Sequence, residues 1–345
     1  MKVTKKIEKL ILEELWETAA YDNDLYNLLD KFARSDETHK ANKTDNTTKT
    51  EDKIKFKDEL FFYLSTVRNR NLITAKQQLK LKNTVVSFFG LSVGSQAALT
   101  WIMQSRAENI KIADPDYLSP SNLNRVKFGW QQVGQKKTEL LAKEIQKINP
   151  QTKINSMIHT DRANVRKFIF NKPNVDLIVD AIDDLPGKIY LRRLAAEKKM
   201  PVLMCTDVGD NVMLDIERYD LNPSLTPFLG RIGADEVENY ESLSDLQRKK
   251  LIIKIVGFEK NSETMLSSLH EIGDTLLTWP QLGATATLAA GVITTAIKKI
   301  ILGEKIASGR YYISLDDILD SSFYNKDRVK QRKMLVKKVK EKFEI

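Results

Sequence analysis

Apolar positions recur at helical spacing near the start of the chain, at Ile7, Leu10, Ile11 and Leu15 and again at Leu25, Leu28 and Leu29, which predicts one or two amphipathic helices over residues 4–33. The pattern stops at residues 35–53, SDETHKANKTDNTTKTEDK, where no large apolar residue occurs and the composition reads as a solvated linker or long loop. A second helical stretch, 55–81, leads into a region that changes character at residue 84. From there strand and helix patterns alternate: TVVSFF, SQAALTWIMQSRA, NIKIAD, KKTELLAKEIQKIN, KINSMIH, a short helix near 162–170, VDLIVDAI, GKIYLRRLAAEKK and PVLMCT. Repeated units of this length predict a doubly wound, mostly parallel α/β sheet covered on both faces. After Asp207 the pattern loosens: NVMLDIERY alternates like a half-exposed strand, a largely helical region runs to about 303, and a short strand, RYYISL, precedes a basic C-terminal helix. The expected organisation is therefore a helical N-terminal extension over 1–82, an α/β domain over 83–206, and a mixed C-terminal region over 207–345.

Composition narrows the class. At 345 residues, 42% hydrophobic and 29% charged, the chain has globular proportions and enough length to bury a core. Its first residues, MKVTKKIEKLILEELWE, intersperse charges among the apolar positions and do not read as a secretory signal. The most apolar later stretch, Ala284 to Ala296, is short and followed by Lys298 and Lys299, so a buried helix is expected there. The single cysteine, Cys205, excludes an intrachain disulfide and a cysteine-based zinc site, and suits a reducing cytoplasm. It closes an apolar strand pattern and reads as a core residue rather than a nucleophile. The net charge of +9 would favour a polyanion such as tRNA, but lysines are scattered among glutamates with no basic segment interleaved with aromatics, so tRNA is a weakly supported partner. His39, His159 and His270 are too dispersed to suggest a ligand set.

The first strand pattern runs into Gly90-Leu91-Ser92-Val93-Gly94-Ser95 and then a helix. Such a turn forms an anion site, because backbone amides and the helix dipole converge on a phosphate. The same residues spell GxSxG, a nucleophile elbow, with Asp180 or Asp215 and His270 in the right order for a hydrolase. The helical and linker segments before residue 84 offer no oxyanion loop, and that reading leaves the following blocks unexplained. The second strand ends in Asp114-Pro115-Asp116, 24 residues past Gly90, near the spacing at which a carboxylate reaches a ribose hydroxyl. Ser121-Asn122-Leu123-Asn124-Arg125 and Val133-Gly134-Gln135-Lys136-Lys137 follow, and Asp180-Ala181-Ile182-Asp183-Asp184 closes a later strand. The last two aspartates read equally as a metal site and as an N-cap pair.

The run D-P-D-x5-SNLNR, VGQKK, INP and DAIDD resembles the E1-like ThiF family of adenylyltransferases over roughly residues 68–206. The resemblance implies that ATP and Mg2+ are used, with Gly90, Ser92 and Gly94 at the phosphate turn, Asp114 on the ribose, and Asn122 and Arg125 on the phosphates. It further implies Lys137 on the triphosphate and Asp183 on the metal. Arg68-Asn69-Arg70-Asn71 is similar to a segment whose arginine, matched by Arg70, reaches the partner subunit's site in dimeric members, so a homodimer is implied. The activity implied is adenylation of a carboxylate on a protein or peptide C-terminus or a small acid, with 207–345 serving substrate choice and dimerisation. The chemistry asks for the same residue types: pyrophosphate leaves only if fixed cations neutralise the charge that develops. Three departures stand: a poorer glycine loop, Val126 where many members have glutamine, and no CxxC pairs. The alternative is a Rossmann-like NAD- or FAD-binding oxidoreductase or a nucleotide-binding regulator.

Overall fold

A computed structural model describes residues 58–345, with the single positions 14, 26 and 27. The amphipathic pattern of 4–33, the polar linker of 35–53 and His39 thus fall essentially outside the described residues. The chain divides into two compact units, the first ending at Gln78 and the second running from Leu79 to Ile345. In the first, residues 58–66 are helical and a single tight turn follows at Val67–Asn69. Asn69 Nδ2 donates to Gln78 Oε1 at 3.0 Å, and Arg70 donates to the Tyr63 hydroxyl at 3.2 Å. Helix α1, Ala75–Lys82, carries the chain from one unit to the next.

The second unit follows the predicted alternation: β1 Val86–Phe89, α2 Val93–Ser105, β2 Asn109–Ala113, α3 Lys137–Ile148, β3 Lys153–Met157, α4 Arg162–Phe170, β4 Leu177–Asp180, α5 Leu185–Lys198 and β5 Pro201–Val208. β6, Asn211–Arg218, follows, then helices α6 Ala234–Glu238, α7 Asp245–Val256, α8 Glu263–Glu271 and α9 Gly283–Ile301. Strand β7, Gly309–Ser314, and helices α10 Leu315–Leu319 and α11 Lys326–Phe343 complete it. The seven strands lie in the order β3-β2-β1-β4-β5-β6-β7. The first five are parallel, and β6 and β7 extend the sheet antiparallel, with β7 at the edge. Because β2 pairs on one side of β1 and β4 on the other, the winding reverses between β1 and β4, which opens a crevice at their carboxyl ends.

β1 and β4 are buried at every position, as expected of central parallel strands. One face of the sheet is closed by α4 and α5, whose Val165, Ile169, Leu191 and Leu194 pack with Phe89, Ile178 and Val202. α2 is buried along most of its length, from Val93 to Leu99 and again at Trp101 and Ile102, and it packs against α9. α9 is the one described helix long and apolar enough to cross a bilayer. Its Ala286, Ala289, Ala290, Ile293 and Ile297 are buried, and the helix packs on α2, β5 and β6, so the expected buried helix is present and extends beyond Ala296.

One expectation is overturned. The alternating NVMLDIER strand is not half-exposed: all eight residues of β6 are buried. Its polar positions face partners rather than water, with Asp215 paired to Arg310 and Glu217 to Arg192. Alternation here marks two buried faces of different polarity.

Candidate active site

β1 ends at Phe89, and Gly90 turns the chain with φ +84° while its amide donates to Ala113 O at 2.9 Å. A Cβ at Gly90 would lie 2.2 Å from Ala181 O, so the turn after β1 sits against the turn after β4 with no room for a side chain. Gly94, in the first turn of α2, approaches the same residue: its Cβ would meet Ala181 Cβ at 3.4 Å. This close packing aims the N-terminus of α2 at the crevice.

A cavity of about 380 Å³ occupies the crevice. Phe89, Ala113, Val165, Ile182, Tyr190 and Leu191 give it an apolar floor, and Gly90, Ser92, Asp114, Asp116, Lys137 and Asp183 give it a polar end. Asp114 is buried at the end of β2 and accepts from Leu91 N at 2.6 Å and Asp116 N at 2.7 Å. Burial pushes its carboxyl above the ordinary range, against the pull of the Lys137 charge and the two backbone donors. Each oxygen keeps acceptor capacity, as a ribose diol would need. The buried Lys137 ammonium lies 2.9 Å from Asp116 Oδ2 and 3.7 Å from Asp114 Oδ2, so a cation is stored at the cavity wall on two carboxylates.

Arg125 does not line the cavity, but its Nε donates to Ser92 Oγ at 2.9 Å, and its Nη1 donates to Ser121 O at 2.7 Å and Asn124 Oδ1 at 2.9 Å. Asn122 is buried in the turn Pro120–Asn122, where its side-chain oxygen accepts from Ser119 N at 3.2 Å; its carbonyl end shapes the loop that carries Arg125. The two ambiguous aspartates divide. Both are exposed and line the cavity, but Asp184 caps α5, accepting from Gly187 N at 2.8 Å, whereas the Asp183 carboxylate makes no hydrogen bond with a described residue.

Among the described residues no group of three or more His, Cys, Asp or Glu could hold a metal alone. Of the carboxylates lining the cavity, Asp114 and Asp116 lie on Lys137 and Asp161 and Asp184 cap helices, which leaves Asp183 to fit Mg2+, an ion that takes one or two carboxylates and completes its shell with phosphate oxygens and water. Arg70 belongs to the first unit, where its guanidinium lies 5.9 Å from the Tyr63 ring.

The hydrolase constellation does not assemble. The donor at Ser92 Oγ is a guanidinium, which cannot take a proton from it. Asp180 is engaged by Lys188 at 3.0 Å and Arg192 at 2.6 Å, and Asp215 by Arg310. Burial would raise the Asp180 carboxyl, but the two cations more than offset it and hold it below its ordinary range. Cys205 is buried, and burial drives its thiol far above the usual range, with Asp207 and Asp215 adding to the effect.

Sequence reasoning missed three contributors. Arg162 lines the cavity and bonds Tyr240 and Glu241, with its guanidinium 5.6 Å from the Tyr190 ring. Asp207 accepts from Gln281 Nε2 at 3.0 and 3.1 Å, and its carboxyl is raised by burial, with the charges of Arg125 and Asp183 acting on it in opposite directions. Gln281 lies 74 residues downstream in the WPQLGATA segment, and no periodicity connects the two.

A family model described as the ThiF family matches residues 66–334. An uncharacterised protein of Mycobacterium tuberculosis (strain CDC 1551 / Oshkosh) is 30% identical over 254 residues, 73% of this chain and 35% of that protein. The tRNA threonylcarbamoyladenosine dehydratase of Bacillus subtilis (strain 168) is 29% identical over 140 residues, 39% of this chain and 54% of the dehydratase. The matched regions thus span about a third and about half of these two relatives. The crystal structure of selenomethionine-substituted PaaA superposes with a TM-score of 0.51 at 21% identity, covering 80% of this chain and 82% of PaaA, a likeness of fold.

Proposed function

The chain belongs to the ThiF family, and from that premise we propose that it is an ATP-dependent adenylyltransferase that converts a carboxylate into its acyl adenylate. One observation carries the reading: the glycine turn, Asp114, Lys137 and Asp183, up to 93 residues apart in sequence, meet around a single cavity at the reversal point of the sheet. The adenine and ribose lie toward the apolar floor and Asp114, and the triphosphate runs past the N-terminus of α2 toward Lys137 and Arg125. A carboxylate oxygen of the acceptor attacks the α-phosphorus, the bond from that phosphorus to the oxygen bridging to the β-phosphate breaks, and pyrophosphate leaves. Lys137 and Arg125 meet the charge gathering on the leaving group, being held in place beforehand by Asp116 and by Ser92 and Asn124. Magnesium, which Asp183 would hold, supplies further neutralisation of the phosphate oxygens. The nucleophile is already ionised at neutral pH, so no general base is needed.

The acceptor is a protein or peptide C-terminus or a small acid, and the reaction ends at the adenylate or its transfer without a cysteine thioester, given the buried thiol of Cys205. The +9 charge leaves a tRNA carboxylate as the second class of acceptor. The protein acts in the cytoplasm as a homodimer.

Isothermal titration with ATP and Mg2+, followed by pyrophosphate exchange with peptide and small-acid acceptors, tests the reading. ATP binding and acceptor-dependent exchange are expected. Binding of NAD with no binding of ATP would overturn it in favour of the oxidoreductase alternative.

A further inference from the structure

Every acceptor on the Arg125 side chain is neutral: a serine hydroxyl, a backbone carbonyl and an amide oxygen. An arginine held only in this way keeps its place only as far as the loop that supplies those acceptors keeps its own. That loop is gripped by a segment 157 residues further along the chain. Gln281 Nε2 is anchored on both oxygens of buried Asp207, and Gln281 O in turn accepts from Asn124 Nδ2 at 2.7 Å. Asn124 Oδ1 accepts from Arg125 at 2.9 Å, which makes a continuous chain of bonds from Asp207 to the guanidinium. Gly283 lies so close that a Cβ there would be 2.4 Å from Asn124 O. The backbone of Arg125 is held separately by Gln96, whose side chain also accepts from Thr287 of α9. Neither Asp207 nor Gln281 lines the cavity.

We propose that Gln281 and Asp207 are positioning residues that set the place of Arg125 at the phosphates, so that the C-terminal segment of the chain governs the strength of its own phosphate site. This rests on the assignment of the cavity to ATP. Asp207 holds the anchor through its bonds to Gln281, both of its oxygens lying within 3.1 Å of Gln281 Nε2. A tie that merely joined two segments would lower stability when cut, without changing how much binding depends on Arg125.

The test is a double-mutant cycle on the full chain, with AMP-CPP and Mg2+ as the probe and AMP as the control lacking the outer phosphates. Gln281→Leu is expected to weaken AMP-CPP about tenfold, as loss of a bond supporting a charged group would, while AMP changes less than about twofold. Arg125→Ala weakens AMP-CPP by as much or more, and the combined variant is no weaker than Arg125→Ala alone, since the anchor has lost what it positions. Should Gln281→Leu fail to fold by circular dichroism, Asp207→Asn, which keeps the size of the side chain and removes its charge, takes its place in the cycle. Fully additive losses, or equal losses for AMP and AMP-CPP, overturn the proposal while leaving the nucleotide site intact. Absence of AMP-CPP binding to the unaltered protein overturns the site assignment and the proposal together.

Discussion

At the scale of single residues, two neighbouring aspartates separate what the sequence leaves joined. In DAIDD both Asp183 and Asp184 can cap a helix or hold a metal, and only the backbone decides between them. Both line the cavity, but with α5 beginning at Leu185, Asp184 falls at the N-cap and spends an oxygen on Gly187 N, while the Asp183 carboxylate keeps both oxygens for a ligand. Their substitutions should therefore differ in kind. Asp184→Ala should cost about 1 kcal/mol of stability with exchange largely retained, the cost of a lost cap. Asp183→Ala, and likewise Arg125→Ala, should leave the melting temperature near that of the parent and cut pyrophosphate exchange about a hundredfold or more. Exchange near the parent rate in either of the latter would remove that residue from the site. Asp114 and Lys137 were legible because each belongs to a short block with a recognisable spacing. Arg162 was not, since a lone arginine opening a helix carries no such context.

At the scale of elements, the parallel strands were legible because burial on both faces leaves continuous apolar runs, as in LIVD of β4. β6 was misread for a physical reason: its acidic residues are neutralised inside the protein, where alternation no longer reports solvent. Arg192 of α5 is the centre of this arrangement, fully buried, 2.6 Å from Asp180 and 2.7 Å from Glu217, with its guanidinium 3.9 Å from the Phe228 ring. The network ties the end of β4, which leads to the site, to β6. Arg192→Met should destabilise the fold by about 3–5 kcal/mol at neutral pH, because two buried carboxylates lose their shared cation. The pH dependence follows from Asp180, whose folded pKa is held below its unfolded value: its stabilising contribution is present above the ordinary carboxylate pKa of about 3.9 and is lost as pH falls through the folded value. In the variant only Lys188 remains to offset the burial of Asp180, so protonation removes less from the variant than from the parent, and the gap between them should narrow in acid. Urea melts at several pH values measure this, and a constant gap would mean that the Arg192 charge is not what holds the network.

At the scale of the whole molecule, the alternation of strands and helices foretold a doubly wound sheet, and residues from the ordered blocks, Gly90, Asp114, Lys137 and Asp183, line one cavity at its edge. What lay beyond reading was the coupling of distant segments, as when Asp207 meets Gln281, since hydrogen bonds between loops leave no period in the chain. The remaining question is whether one chain completes the site. Arg70 follows the turn Val67–Asn69 in the first unit, and its assignment rests on the RNRN segment placed before β1. A guanidinium delivered by a second copy would add charge at the leaving pyrophosphate without crowding the nucleotide turn of its own chain, and a two-fold assembly would complete both sites at once. If so, Arg70→Ala and Asp183→Ala homodimers should each be inactive, yet mixing them under conditions of subunit exchange should restore activity. In the heterodimer one site carries both defects and the other carries neither, so a fully mixed equimolar sample, half of it heterodimer, should recover about one quarter of the parent rate. Exchange can be followed independently by native mass spectrometry of differently tagged chains. Demonstrated heterodimers with no recovery would place Arg70 in its own subunit's site or in folding alone.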